Sequence, residues 1–555
     1  MITITMNGNP VHAREGATVL EASREDKYAS KQYDINVISL NYLKGVQTQD
    51  DSGLCIVEIE GKGIVNASTT IVEEGMVIKT NSPEVVELQK AALEKILEKH
   101  DLDCRNCLRT ANCELQTIQH TLRTTKAAKD AKRKVEPEAN YGIIIRDNNK
   151  CVRCGRCVAA CTNIQGIGAI KMDGEGLEGK VVPSQGTTLF ESGCVSCGQC
   201  IASCPVGALR ERDDVDDIFA AIADPEKYVI VQVAPSVRAS IGEAFGYPVG
   251  SETKGKLAAA CRALGFDRAY DTIFGADLTI MEEAKELVDR VASGAIMPMF
   301  TSCCPGWISY CENNHPELLN NLSSCKSPHQ MFGAMTKTYL AEKEGLKKDN
   351  IVVVSVMPCT AKKYEIIRPN QAAAGVSDVD YTITNREFAR MIERANVAFL
   401  ALDDEEFDEP LGIGTGAGTI FGAAGGVMEA ALRTAKDLYG AENLRIAAVS
   451  GLAEAERLLE KIKAGEETYD FVEVMACPGG CVNGGGQPQQ SAELQTVVDI
   501  RKKRAASLYR LDEKSDVRKS YENSAIKELY RAYLGEPGSE KAHAYLHTTY
   551  QAKGE

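Results

Sequence analysis

The sequence predicts an α+β multidomain chain, and three observations carry that reading. Short strands of alternating polarity fill the first 80 residues, a cysteine quartet occurs twice between residues 141 and 215, and from Val229 onward apolar β-type runs alternate with helical stretches. At 555 residues the chain exceeds what one hydrophobic core usually organises, so several compact units are expected.

Residues 1–80 place ITITM and CIVEIEG around one helical stretch, the size and pattern of a small β-grasp domain. Residues 81–137 open with the helix-like PEVVELQKAALEKILEKH and run into a cysteine-rich patch ending at Cys113. The charged, aperiodic TKAAKDAKRKVEPEAN that follows reads as a linker. Residues 138–216 hold the repeated quartet. Residues 217–500 carry YVIVQVAP, IVVVSVMP and IAAVSG between helices such as LTIMEEAKELVDRVASG, a pattern of parallel sheets covered by helices. Residues 501–555 are polar and mostly helical.

A net charge of −15 and 6% aromatics argue against a nucleic-acid surface. The first residues show neither a basic-then-apolar leader nor a twin arginine, and no run of 18 uncharged apolar residues occurs. A cytoplasmic location without membrane contact is therefore expected. Thiols stay reduced there, so 20 cysteines mean metal ligation before they mean disulfides.

CVRCGRCVAAC and CVSCGQCIASCP both have the C-x2-C-x2-C-x3-C spacing of bacterial ferredoxins, where the fourth cysteine of each run ligates the other cluster. One 4Fe–4S cluster is thus assigned to Cys151, Cys154, Cys157 and Cys204, the other to Cys194, Cys197, Cys200 and Cys161. Structural zinc more often uses two C-x2-C pairs. Upstream stand His100, Cys104, Cys107 and Cys113, a mixed set that fits either a cluster with one imidazole ligand or a Cys3His zinc site.

Three further segments hold cysteines in specific settings: TSCCPGW at 301–307, MPCTAKKYE at 357–365 and MACPGGCVNGGGQP at 475–488. They resemble, in order, the signature motifs of FeFe hydrogenases, and the upstream arrangement resembles the monomeric multi-cluster clostridial type over essentially the whole chain. The resemblance implies a two-lobed α/β catalytic domain and reversible oxidation of H2 to protons and electrons. It also implies relay by three accessory 4Fe–4S clusters, the His100 site among them, to ferredoxin or a similar carrier.

By the same resemblance Cys304, Cys359, Cys477 and Cys481 hold the cubane of an H-cluster, and Cys481 bridges to a diiron unit with CO, CN and dithiolate ligands that maturation proteins install. Lys362 contacts one cyanide, Ser236 with Pro235 the other, and Met357 and Met475 line the pocket. Cys303 exchanges protons with the dithiolate amine, Glu283, Ser323 and Glu365 provide the next steps, and Glu286 and Arg290 form the outer end. Positions 283, 286 and 290 are spaced to share one helix face.

Several departures qualify the resemblance. Clostridial relatives hold a 2Fe–2S cluster in the β-grasp domain with four cysteines, whereas here Cys55 stands with Asn41, Ser52 and Ser68. Serine and asparagine bind iron poorly beside thiolate, so the 2Fe–2S cluster is expected to be absent. His329 occupies a position where the family usually has glutamine, and the stretch between Lys436 and Phe471 is shorter than in clostridial relatives. Residues 501–555 resemble the small subunit of periplasmic relatives and are expected to wrap the catalytic domain. Cys261, Cys311 and Cys325 match no ligand position and read as small buried hydrophobes.

Three other readings compete. A hydrogen sensor is disfavoured by the retained Cys303. A catalytic subunit of an electron-bifurcating complex needs a flavin-bearing partner, and no GxGxxG follows a strand here. A non-catalytic iron–sulfur assembly protein is opposed by TSCCPGW, Lys362 and Glu365.

Overall fold

In the computed structural model, which describes residues 1–31, 34–124 and 138–553, the alternating amino-terminal runs pair into a five-stranded sheet. Its order is Asn9–Ala13, Ile2–Met6, Val77–Lys79, Ile56–Ile59, Gly63–Asn66, with one parallel pair that sets Thr5 against Val77 and Met6 against Ile78. Alternation puts Ile4, Met6, Val11 and Ala13 on the covered face, where they meet Val19, Leu20 and Ala22 of the helix Val19–Ser30. Thr18 and Glu21 cap that helix reciprocally.

Two compact units result. One comprises Met1–Ser192, Gln199–Glu211 and Gln489–Asp499; the other comprises Gly193–Gly198, Arg212–Pro488 and Ile500–Glu555. The first unit continues from the β-grasp sheet into the helix Pro83–Lys99, which has proline at its first turn and ends at His100. The expected linker lies mainly outside the described residues, but its last two, Ala139–Asn140, pair with Ile144–Arg146, which in turn pairs with Leu209–Glu211. Each ferredoxin-type cysteine run leads into a short helix, Arg156–Ala159 in one repeat and Gln199–Ser203 in the other. The turn geometry also repeats, with positive φ at Arg153 and Gly155 and again at Ser196 and Gly198.

The second unit is built on two parallel sheets, in keeping with the two lobes expected. One has the order Arg268–Asp271, Tyr228–Val233, Ile351–Met357, Tyr381–Thr384; the other has Met299–Phe300, Phe471–Met475, Ile446–Ser450. All seven residues of Ile351–Met357 and all five of Phe471–Met475 are buried, as strands covered on both faces must be.

The carboxy-terminal segment packs into this unit. Ile526, Leu529, Leu534 and Leu546 join Phe274 and Phe332 in one apolar cluster, where each fully buried leucine contributes roughly 2 kcal/mol. Backbone hydrogen bonds from Lys326 to the Leu546 carbonyl and from Thr548 to the Ser324 carbonyl, both 2.8 Å, fasten its end. Cys261, Cys311 and Cys325 are fully buried. Among the described residues no helix is long and apolar enough to cross a membrane.

Candidate active site

Four parallel strands end at the segments that the sequence singles out. Tyr228–Val233 runs into Ala234-Pro235-Ser236, Ile351–Met357 into Pro358-Cys359, Met299–Phe300 towards Cys303-Cys304, and Phe471–Met475 into Ala476-Cys477. Carboxyl ends of parallel strands are where loops converge and ligands bind. Here they enclose one largely apolar cavity lined by Pro235, Ser236, Cys303, Cys304, His329, Met357, Cys359, Lys362, Met475, Cys477 and Cys481. Four thiols from three segments facing one space are a soft donor set suited to an iron–sulfur cubane. Ser236 Oγ is buried with no hydrogen-bond partner, leaving a donor for a polar group inside the cavity. The residues therefore fit the H-cluster.

The glycines beside these cysteines serve chain packing as well as cofactor approach. A Cβ on Gly484 would lie 2.2 Å from the Pro358 carbonyl oxygen, and one on Gly485 2.1 Å from that of Cys197. Gly480, at φ +87°, would meet the Ala424 nitrogen at 2.6 Å. Backbone approaches this close leave no room for a side chain.

Lys362 donates to the Cys303 carbonyl at 3.1 Å and to Glu365 at 2.7 Å, which leaves one of its three N–H donors for the cavity. Burial works against charge on Glu365, but the Lys362 ammonium and then His329 hold its pKa down to about 2. His329 is pushed down to about 4 by burial and next by Lys362, so it is neutral at pH 7. A neutral ring donating from Nε2 to Glu365 at 2.5 Å accepts at Nδ1 from Ser355 at 3.1 Å. Glu365, expected as a proton step, thus sits within a Lys362–Glu365–His329 hydrogen-bonded group. A carboxylate held by two donors and kept ionised is a poor proton carrier.

The other expected steps converge. Glu283, Glu286 and Arg290 project from the helix Ile273–Ser293. Ser323 Oγ donates to Glu286 at 2.9 Å, and Arg290 holds the same carboxylate at 2.6 Å. Neither Glu283 oxygen has a hydrogen bond of normal geometry, and Ser323 and the Ser302 N–H are among the polar groups that act on it. Burial first and the Glu286 carboxylate second raise Glu283 to about 8. Burial, and after it Glu283, keeps the Cys303 thiol protonated.

The raised Glu283 value gives a stability test. Between its ordinary value of 4.5 and about 8 the folded chain binds a proton that the unfolded chain has released. Stability therefore falls as pH rises through that window, by at most about 1.4 kcal/mol per pH unit. Glu283→Gln should flatten this fall, and thermal melts from pH 5 to pH 9 with a slope matching wild type would contradict the assignment.

Comparison with known proteins follows the same division. Residues 227–485 match the family described as iron only hydrogenase large subunit, C-terminal domain, and residues 498–553 match iron hydrogenase small subunit. The chain is 43% identical to iron hydrogenase 1 of Clostridium pasteurianum, over 99% of this chain and 100% of that one. The chain belongs to the iron-only hydrogenases. It is also 41% identical to the NADP-reducing hydrogenase subunit HndD of Solidesulfovibrio fructosivorans, over 99% of each. A solved FeFe-hydrogenase HydA1 variant from Chlamydomonas reinhardtii aligns with a TM-score of 0.56 at 40% identity, over 62% of this chain and 100% of the other. Residues 1–83 match a 2Fe-2S iron-sulfur cluster binding domain, residues 89–127 the NADH-ubiquinone oxidoreductase-G iron-sulfur binding region, and residues 150–208 a 4Fe-4S dicluster domain.

Outside the catalytic unit of this hydrogenase, His100, Cys104, Cys107 and Cys113 line one small pocket, and a Cβ on Gly207 would come within 2.6 Å of Cys107 Sγ. Cys151, Cys154, Cys157 and Cys204 are buried and close enough for their charges to interact, and Arg146 donates to Cys151 Sγ at 3.2 Å. Cys161 and Cys200 lie in the first unit, Cys194 and Cys197 in the second. Cys161 Sγ accepts from the Ala169 N–H at 3.2 Å.

The β-grasp domain does not fit a 2Fe–2S group. Asp50, 1% exposed, accepts from Ser39 Oγ at 2.7 Å, from the N–H groups of Leu40 and Asn41 at 2.7 and 2.9 Å, and from both the N–H and hydroxyl of Ser52. Its own N–H donates to Ser68 Oγ at 3.0 Å. Asn41 and Ser52 are thereby tied to the Asp50 carboxylate and Ser68 to its backbone N–H, and Cys55 is packed in the apolar core.

Proposed function

We propose that this chain interconverts H2 with protons and electrons at an H-cluster seated in the cavity of the second unit, with iron–sulfur clusters relaying the electrons. The convergence of Cys304, Cys359, Cys477 and Cys481 with Cys303, Lys362 and Ser236 on one buried cavity carries the reading. The alternatives weighed on the sequence have no better support.

The H-cluster, when bound, supplies the open iron site and the adjacent base at which the H–H bond is cleaved or formed heterolytically. Cys304, Cys359, Cys477 and Cys481 would hold its cubane. Lys362 and Ser236 offer donors to its polar ligands, and Pro235, Met357 and Met475 keep water out. Cys303 carries the proton at its Sγ and passes it to Glu283; Ser323 and Glu286 take it outward, with Arg290 fixing the Glu286 carboxylate. Glu365 positions Lys362.

Three accessory 4Fe–4S clusters are assigned to His100 with Cys104, Cys107 and Cys113, and to the two ferredoxin-type quartets. The 2Fe–2S cluster is absent, because one cysteine cannot replace four and Asp50 ties the remaining positions. Ferredoxin or a similar carrier is the redox partner, maturation proteins supply the diiron unit, and the chain works in the cytoplasm.

Infrared spectroscopy of anaerobically matured protein tests this reading. Carbonyl and cyanide bands should shift between hydrogen and carbon monoxide. Protein that has been through maturation, shows cubane signals by electron paramagnetic resonance and yet lacks such bands would overturn it.

A further inference from the structure

The outer end of the proton line raises a chemical difficulty. Glu286 is held by Arg290, whose guanidinium cannot be deprotonated in a protein and so cannot carry the proton onward. The carboxy-terminal segment brings a group that can. A nitrogen of His547 lies within 4.8 Å of a Glu286 oxygen and of Cys325 Sγ. The ring is fixed on both sides: Nδ1 is 2.7 Å from Ser324 Oγ, and Nε2 is 3.1 Å from Glu282 Oε2. Glu282 is buried and also accepts from Tyr530 and from the Gly538 N–H, both on the same carboxy-terminal segment. Because an ionised carboxylate only accepts, neutral His547 donates from Nε2 and presents Nδ1 as its basic atom.

Beyond His547 lies solvent. The exposed His543, one helical turn earlier, packs against it with ring centroids 4.0 Å apart and the rings tilted by 38°. The charged or titratable groups facing this pair are Glu282, Glu286, Asp289 and Arg290 from the helix Ile273–Ser293, Cys325 from the facing loop, and Tyr530 through Glu282.

We propose that His547 is a relay residue of this hydrogenase, taking the proton from Glu286 and passing it to solvent past His543, so that the carboxy-terminal segment completes the proton exit. This rests on the hydrogenase reading and on the Glu286 step. In the transfer the Ser324 hydroxyl, on a residue whose N–H already donates to Glu286, gives its proton to Nδ1 and takes the Glu286 proton in its place, so that each bond formed is matched by one broken, and the imidazolium then releases its Nε2 proton to Glu282 or to water. The reverse sequence brings protons in for H2 formation.

The test compares Glu286-intact proteins that differ at position 547. His547→Gln keeps an amide able to bond Ser324 and Glu282 but cannot carry a proton; His547→Phe removes the bonds as well. H2 oxidation is followed in dilute buffer and again with added imidazole, alongside melting temperature and the infrared bands. His547→Gln should melt like wild type and keep its bands, yet turn over at least about fivefold more slowly in dilute buffer, with imidazole restoring the rate. Wild type should respond little to imidazole. A His547→Gln rate equal to wild type, or a loss that imidazole does not reverse, overturns the relay while the hydrogenase reading stands. Wild-type protein with neither turnover nor carbonyl bands overturns that reading and the relay with it.

Discussion

Cys303→Ala should lower hydrogen turnover by about 10²–10⁴-fold, the usual worth of a positioned proton-transfer group, while iron content and carbonyl bands stay as in wild type. Cys303 lines the cavity, and it lies close enough to Glu283 for that carboxylate to be the largest influence on the thiol after burial. Lys362, the nearest alternative, is held charged by Glu365. Of the other polar side chains at the cavity, Ser236 and Thr272 carry hydroxyls that do not ionise near neutral pH, and His329 is pushed down to about 4 by burial. Removing Cys303 therefore breaks the line at its first protein atom without removing a cluster ligand. Hydrogen evolution and oxidation assays on matured protein, paired with metal analysis, check this. Turnover within threefold of wild type would show that protons bypass the thiol.

Asp50→Ala is expected to have the largest effect on stability, on the order of 4 kcal/mol and local to the β-grasp domain. The substitution strands the buried donors of Ser39 and Leu40 together with the half-buried ones of Asn41 and Ser52, and each unmet buried donor costs about 1–3 kcal/mol. Limited proteolysis should show early cleavage within residues 34–70, with hydrogen turnover at low potential preserved in freshly prepared protein. Asp50→Asn keeps one acceptor and should fall between the two. If Asp50→Ala resisted protease as wild type does, the carboxylate would not be the staple of these loops.

The chemistry of this chain is legible where ligands come in local runs. The two ferredoxin quartets and the segments at 301–307, 357–365 and 475–488 announce soft metal ligation from spacing and resemblance, and the structure gathers the catalytic four at strand ends. The shared face of Glu283, Glu286 and Arg290 follows from helical spacing alone. What escaped the sequence depends on partners brought together by the fold. Asp50 is one of two adjacent aspartates, and nothing local marks it as the group that collects Ser39, Asn41 and Ser52. The bond between Glu365 and His329 spans 36 residues, and nothing local announces it. His547 meets Ser324 across 223 residues, a separation at which periodicity says nothing.

The segment from Ile500 onward packs in the same apolar cluster as Phe274 and Phe332 while matching a family described as a small subunit. Covalent fusion turns what would be an association between two chains into an intramolecular closure, with an effective concentration set by chain length and not by expression level. Dilution then cannot strip the segment away, and specific activity should be the same in nanomolar and micromolar solutions. Stoichiometry between the two parts is fixed at translation, so no molecule is made with the cavity but without the segment that packs beside its proton line.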